Sequence, residues 1–412
     1  MSSAQTSRLN AKQLNAVIAC FLGWTLDAFD FFILIFVVRD IAKEFHTDIT
    51  AVTYAVWLTL AMRPLGAFLF GLMADRFGRR PTLMLDILCY SALEFASGFA
   101  PSLTVLLILR ALFGIAMGGE WGVGSSLTME SIPPSARGVI SGILQAGYPA
   151  GYFLASITYG LLFDHIGWRG MFMVGVIPAL LVIFVRMGVD ESPTWLETKP
   201  TVEEMWKAVA NRFPLFIFVV LLMTAFNFFS HGTQDLYPTF LREQHKFDSA
   251  TVGTVAAIAN IGAILGGLLF GTMSQRLGRR KAIVIAALLA IPVIPLWAFS
   301  RTAAMLAIGA FIMQFLVQGA WGVIPAHLNE LSPHDVRGTF PGFTYQLGNF
   351  FAASNLTIQS MLAEKFDKNF GLAMAIVAGI VAIAVAVLAG FGPQARGVKF
   401  ARDGAMTEPE RV

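Results

Sequence analysis

GLMADRFGRR (Gly71–Arg80) and GTMSQRLGRR (Gly271–Arg280) stand 200 residues apart in this 412-residue chain. Gly71, Gly78, Arg79 and Arg80 recur as Gly271, Gly278, Arg279 and Arg280. Further on, Trp121, Glu130, Arg137 and Gly138 recur at the same offset as Trp321, Glu330, Arg337 and Gly338. One constant offset across separate segments marks an internal duplication. Each ten-residue copy falls between two long apolar runs, so the repeated unit is built from apolar segments joined by short charged loops.

The composition says what those segments are. Hydrophobic residues make up 56% of the chain and charged residues 13%, with a mean hydropathy of +0.68. Soluble domains carry about 25% charged residues. Here the apolar excess comes as stretches of roughly 20 residues, the length that crosses a ~30 Å hydrocarbon core as helix. Helix is required because lipid offers no partner for open backbone groups. Cys20 and Cys89, the two cysteines, lie inside apolar segments, with neither a disulfide framework nor a metal spacing. No cofactor is expected. The first apolar run lacks a small-residue cleavage site and reads as an uncleaved first helix.

Charge and Gly/Pro punctuation places twelve spans near 15–38, 51–73, 81–99, 103–128, 138–163, 169–189, 214–240, 250–273, 281–300, 303–326, 338–363 and 369–392. The longest connection divides them six and six. The expected organisation is an N-terminal half at 1–189, a cytoplasmic linker at 190–213, a C-terminal half at 214–392 and a cytoplasmic tail at 393–412. Most of the 29 Lys and Arg fall in the loops on the side of the N-terminus, which places both termini in the cytoplasm. The net charge of +3 follows from that bias and does not call for a nucleic acid. Two helical halves related by a repeat are the architecture of an alternating-access carrier, with its site between them near midplane.

The Gly71–Arg80 stretch resembles the signature loop between the second and third helices of the major facilitator superfamily. RALFGIAMGGEWGVG from Arg110 and DESPTWLE from Asp190 resemble its sugar-porter and organic-acid branches, although Thr194 stands where sugar porters usually have arginine. NFFSHGTQDLYPT (Asn227–Thr239) resembles the seventh-span signature of lactate and pyruvate permeases in the sialate:proton symporter family, with Asn227, Ser230, His231, Thr233, Gln234, Asp235 and Thr239 filling each defined position. The resemblance implies proton-coupled uptake of short monocarboxylates in a plasma membrane such as the bacterial inner membrane. It associates Asn227, His231 and Gln234 with substrate recognition. By the same resemblance Asp75, Arg76, Arg79, Arg80, Glu130, Arg137, Glu330 and Arg337 form ion pairs that close the inner gate. The alternative reading of these loop charges is topology alone.

A charge near the centre of a spanning helix costs about 2.5–3.5 kcal/mol on insertion scales, so such residues pair or face a cavity. A carboxylate substrate calls for arginine, whose planar fork binds both oxygens. The spans offer Arg63 and Arg110. Arg63 shares its depth with Asp27 and Asp30, which suggests a structural pair, and Arg110 is a candidate for substrate binding or coupling, with structural pairing as the equal alternative. Proton coupling has candidates in Asp27 and Asp30 on one helix face, in Glu120, and in His231 with Asp235 at i, i+4. Tyr148, Tyr345, Gln346 and Asn349 are further ligand candidates at mid-span, each also readable as helix-to-helix glue. Asp86 is assigned to the gate because it follows Arg80 closely.

These readings converge on a twelve-helix symporter of a small organic acid anion and a proton, held in a lipid bilayer and working as a monomer. The rivals are a symporter of sialate, a dicarboxylate or an aromatic acid, and a transporter-like nutrient sensor. No nucleotide-binding loop, metal cluster or nucleophile arrangement points to an enzyme.

Overall fold

The computed structural model describes residues 9–394 and Phe400. Residues 1–8 and most of the expected tail at 393–412 lie outside the described residues.

Helix is the only extended secondary structure among the described residues. The first half comprises α1 (Ala11–Glu44), α2 (Ile49–Phe77), α3 (Arg79–Ser97), α4 (Leu103–Ser131), α5 (Arg137–Gln145), α6 (Gly147–Val174) and α7 (Ala179–Gly188). Two short helices follow, α8 (Pro193–Thr198) and α9 (Val202–Asn211). The second half comprises α10 (Phe213–Gln234), α11 (Tyr237–Glu243), α12 (Ser249–Leu277), α13 (Arg279–Ala290), α14 (Ile294–Phe299), α15 (Ala303–Trp321), α16 (Ile324–Leu331), α17 (Phe340–Ala352), α18 (Asn355–Lys365) and α19 (Phe370–Phe391). Local chemistry sets the ends. Asn10 and Gln13 form a capping box at α1, and the side chains of Ser102, Asp248 and Thr302 cap α4, α12 and α15.

Eight helices or helix runs are by themselves long and apolar enough to cross a membrane. The remaining crossings are charged, broken or fused. α3 carries Arg79, Arg80, Asp86 and Glu94, and α17 and α18 form one crossing broken between Ala352 and Asn355. α6 conceals a reversal at Gly167, where φ is 63° and ψ −177°. Before it, contacts with α1 climb: Tyr148 meets Trp24, Tyr152 meets Phe32 and Tyr159 meets Phe36. After it they descend, with Trp168 on Glu44 and Asn15 hydrogen-bonded to the Gly188 carbonyl. The fifth crossing therefore ends near Gly167 and the sixth begins at Trp168. Twelve crossings result, six in each half.

The duplication is visible in the packing. A methyl group at Gly66 would lie 1.7 Å from the Ile115 carbonyl oxygen, and one at Gly266 would lie 1.8 Å from that of Phe315. Only a bare backbone lets α2 approach α4, and α12 approach α15, this closely. Each half keeps its own apolar core, around Phe113, Met117 and Leu127 in the first and Phe226, Met313 and Trp297 in the second.

Candidate functional site

At the end of the molecule that holds the repeated loops, the halves meet in a two-fold arrangement of charges. Arg79 binds Glu130 with a two-pronged hydrogen bond, Nε to Oε2 and Nη2 to Oε1, both at 3.1 Å. Arg279 binds Glu330 in the same way, at 3.0 and 2.9 Å. Each glutamate also faces an arginine of the other half: Arg337 approaches Glu130 at 3.8 Å and Arg137 approaches Glu330 at 3.8 Å. All six side chains are buried. Asp75 accepts the Gly338 N–H at 2.7 Å, the Thr339 N–H at 2.9 Å and the Thr339 hydroxyl at 2.6 Å. At the 200 offset, Gln275 accepts the Gly138 N–H at 3.1 Å. The loss of the acid at position 275 thus preserves the contact, because an amide oxygen also accepts.

Neutral groups complete this seam. Ser126 donates to the Arg337 carbonyl at 2.6 Å, the Ser141 hydroxyl accepts from the Ala326 N–H at 3.0 Å, and Asn329 donates to Ser125 at 3.3 Å. Phe400 is buried between the guanidinium groups of Arg137 and Arg337, whose centres lie 3.5 and 3.9 Å from its ring. Its carbonyl accepts from His334 Nε2 at 2.8 Å, which fixes the proton of that imidazole on Nε2. Burial, seconded by Arg337, holds His334 below the usual histidine range.

The segment between the halves braces the same end. Glu191 accepts the backbone N–H groups of Arg79 and Arg80 at the start of α3, where a helix N-terminus favours an anion. Burial raises the Glu191 carboxyl above its ordinary value, opposed by the N–H groups of Ser192, Arg79 and Arg80. Ser192 makes a short hydrogen bond to Glu130, and Trp195 donates to the Asp75 carbonyl at 2.8 Å.

Midway along the molecule a second polar group forms. The Nδ1 of His231 lies 3.1 Å from Asp235, and its Nε2 lies 3.1 Å from the Asn349 Oδ1. Asn349 in turn reaches Gln346 at 3.5 Å. Gln234 donates to Gln314 at 2.7 Å, and Gln318 donates to Ser230 at 3.0 Å. His231 lies roughly 27 Å along α10 from its start at the seam end, at 1.5 Å per residue. The side chains of His231 and Asp235 remain about a third exposed, at 34% and 33%, so this group is reached from the end opposite the closed seam. Asn227 is buried and donates to the Met223 carbonyl of its own helix.

Arg63 lies between the halves. It is buried, its Nε and Nη2 have no hydrogen-bond partner, and its guanidinium lies 6.0 Å from the Trp24 ring. Its charge acts on Tyr148 and Asp27 of the first half and on Tyr345 and His231 of the second. The expected pairing of Arg63 with an aspartate is therefore not a direct contact: both oxygens of Asp27 and of Asp30 are buried without hydrogen-bond partners.

Two sequence assignments are corrected here. Arg110 is held within the first half by Glu94 at 2.5 Å and Ser97 at 3.1 Å, over the Phe113 ring at 4.0 Å. It makes no contact with the polar group around His231: its Nη2 is held by Glu94 and Ser97 of the neighbouring helix, while its Nε and Nη1 are buried without a hydrogen bond. Asp86 does not join the loop network. It points to the interior against Gly119 and feels Glu120 and Asp27, since six residues of helix carry it roughly 9 Å from Arg80. Arg76 lies exposed at the end of α2 and joins none of the seam contacts described above. Glu120 packs against Gly23 of α1, with both oxygens unpartnered.

The structure therefore brings His231, Asp235, Asn349 and Gln346 together, sets Arg63 beside Trp24, and gathers Asp75, Arg79, Glu130, Arg137, Glu330 and Arg337 at the seam, with Arg80 tied to Glu191 through its backbone N–H. The sequence reading did not single out Thr339, Ser126, Gln314 or Phe400. Thr339 follows the repeated Gly338 directly, which was an available signal; the other three carried none.

The Major Facilitator Superfamily model matches residues 20–354. The chain is 28% identical over 398 residues to the carboxylic acid transporter protein homolog of Saccharomyces cerevisiae, covering 90% of this chain and 64% of that protein, so it spans less than two thirds of that relative's length. It is 28% identical over 393 residues to the sialic acid transporter NanX of Escherichia coli, covering 94% and 95%. Among solved structures, the proton:xylose symporter XylE superposes with a TM-score of 0.75 at 18% identity, over 94% of this chain and 97% of that one. That likeness concerns the fold.

Proposed function

Since this chain belongs to the major facilitator superfamily, a family of transporters rather than enzymes, we propose that it carries a small organic monocarboxylate together with a proton by alternating access. The observation that carries the reading is Arg63: a buried arginine whose Nε and Nη2 no carboxylate among the described residues occupies. Leaving a buried guanidinium so placed is costly, and a substrate carboxylate satisfies it with the geometry that arginine favours. Trp24 lies beside it and packs on Tyr148, and in this reading His231, Asn349 and Gln346 supply hydrogen bonds from the other half.

Asp27 is the proton carrier in this proposal. Its oxygens have no hydrogen-bond donor, and Arg63 is the nearest cation acting on it. When the substrate anion takes Arg63, Asp27 loses that counter-charge and takes up a proton. Anion and proton then cross as a neutral pair, and the bilayer interior carries no uncompensated charge. Asp30, Glu120, and His231 with Asp235 are the further groups able to hold that proton.

The excess of positive charge favours the seam end as the cytoplasmic one, in a plasma membrane such as the bacterial inner membrane on this reading. The closed seam with an accessible His231 is then the outward-facing state, with Asp75, Arg79, Glu130, Arg137, Glu330 and Arg337 as the inner gate. The seventh-span motif makes lactate and pyruvate the first candidates to assay. Uptake of labelled lactate into proteoliposomes, with and without an inward proton gradient, tests the reading. The expected result is accumulation driven by the gradient and unaffected by membrane voltage. Voltage-driven uptake at a fixed gradient contradicts the one-to-one stoichiometry.

A further inference from the structure

Six aromatic rings form a continuous series from the middle of the molecule towards its open end. Trp24 meets Tyr148 at 5.4 Å between ring centres, Tyr148 meets Phe32 at 5.3 Å, and Phe32 meets Tyr152 at 4.7 Å. Tyr152 meets Phe36 at 5.8 Å, and Phe36 meets Tyr159 at 5.2 Å. The rings come alternately from α1 and α6, and the series begins at the Trp24 ring beside Arg63.

The series faces the interior. On α6, positions 148, 152 and 159 follow helical spacing and share one face. Phe153, Ile157 and Leu161 occupy the opposite face and are 66%, 43% and 68% exposed, as lipid-facing residues are. Tyr148 packs against the apolar cluster that holds Phe226 and Tyr345 of the other half, so it lies on the inner side of its helix. Beyond Trp24 every ring in the series is only half-buried, so part of each ring surface is not covered by the protein.

We propose that the substrate is a carboxylate with a planar body, aromatic or conjugated, whose plane packs against Phe32, Tyr148 and Tyr152 while its carboxylate meets Arg63. The inference rests on the carboxylate reading of Arg63 given above and narrows it. A three-carbon acid held at Arg63 leaves these rings uncovered. A ring-sized planar acid covers them in the offset or edge-on geometries that aromatic pairs favour. The series continues past the site to Tyr159, so the same surface provides a path of successive stacking positions from the open end.

The test is calorimetric binding to the intact protein in nanodiscs, using benzoate, cyclohexanecarboxylate and lactate. The first two match in size and differ in planarity. Benzoate is expected to bind several-fold tighter than cyclohexanecarboxylate, and lactate weakest. Tyr152→Ala should weaken benzoate by about 2- to 12-fold, the range for one lost ring–ring contact, while Tyr152→Phe restores it and lactate is unmoved. Phe32→Leu, which preserves apolar volume, should act in the same direction. If Arg63→Gln abolishes binding but cyclohexanecarboxylate binds as tightly as benzoate, the planar-body inference is wrong and the carboxylate reading stands. If none of the three acids binds in an Arg63-dependent way, the carboxylate reading itself fails, and the inference with it.

Discussion

Arg337 approaches Glu130 across the seam at 3.8 Å, and Arg137 approaches Glu330 at the same distance 200 residues away along both chains of contact. Each glutamate is meanwhile fixed by the arginine of its own half, Arg79 or Arg279. The arginine that crosses the seam is therefore the weaker partner on each side. Separating the halves would break the two long ion pairs and the seam hydrogen bonds made by Asp75, Gln275, Ser126, Ser141 and Asn329, while both glutamates keep the arginine of their own half.

Asp75 adds the charged part of that closure. Asp75→Asn keeps an acceptor for Gly338 but loses the charge, and hydrogen bonds to a charged group are worth about 1.5–3 kcal/mol. Hydrogen exchange at the Gly338 and Thr339 amides should accelerate by roughly tenfold or more. Unchanged protection would place the closing energy elsewhere on the seam.

Phe400 lies on both arginines that cross the seam. Phe400→Ala removes two cation–π contacts, each worth about 0.5–2 kcal/mol, and should populate the separated state. Spin labels at Arg76→Cys and Arg276→Cys, both exposed positions, with Cys20 and Cys89 replaced by alanine, report the distance between the halves. The expected result is a larger long-distance fraction in the Phe400→Ala protein; identical distributions would remove Phe400 from the gate.

Arg110 and Glu94 should behave as a structural pair. Arg110→Gln leaves a buried carboxylate without its partner, a loss of about 3–5 kcal/mol. Adding Glu94→Gln should recover most of the lost thermal stability and, with it, transport. A stable double variant that cannot transport would return Arg110 to the substrate path.

Gly167 makes the turn between the fifth and sixth crossings. Its φ of 63° with ψ of −177° belongs to a region that is essentially restricted to glycine, with strain of about 1–3 kcal/mol for other residues. A side chain there meets no atom within 4 Å. Gly167→Ala should thus lower thermal stability by backbone strain alone. An unchanged melting temperature would show that the turn tolerates a side chain.

The fold was legible because lipid admits few solutions: apolar runs of spanning length must be helices, and the 200-residue offset reveals the two halves. Gly167 falls in the gap between the spans expected at 138–163 and 169–189, so the reversal was legible, although the backbone geometry that makes it was not. The seam was half legible. Repeated Arg79/Arg279 and Glu130/Glu330 identify its charged members, whereas Ser126 and Phe400 enter only through packing. Depth along a helix located Arg63 and Arg110 but could not say which way each points. Glu94 pairs with Arg110 from the neighbouring helix, whereas no carboxylate among the described residues hydrogen-bonds the Nε or Nη2 of Arg63. Asp86 was misassigned because closeness in sequence to Arg80 does not survive six residues of helical rise.

The central claim is that Arg63 receives the substrate carboxylate and that a proton moves with it. The most direct measurement is the internal pH of proteoliposomes after addition of external lactate, at a concentration that fills the site even for a weakly bound acid, followed with a trapped dye for wild type and for Arg63→Gln. The account predicts rapid internal acidification with the wild type, insensitive to voltage, and only the slow leak of protein-free vesicles with the folded variant. Equal acidification by both proteins would contradict it.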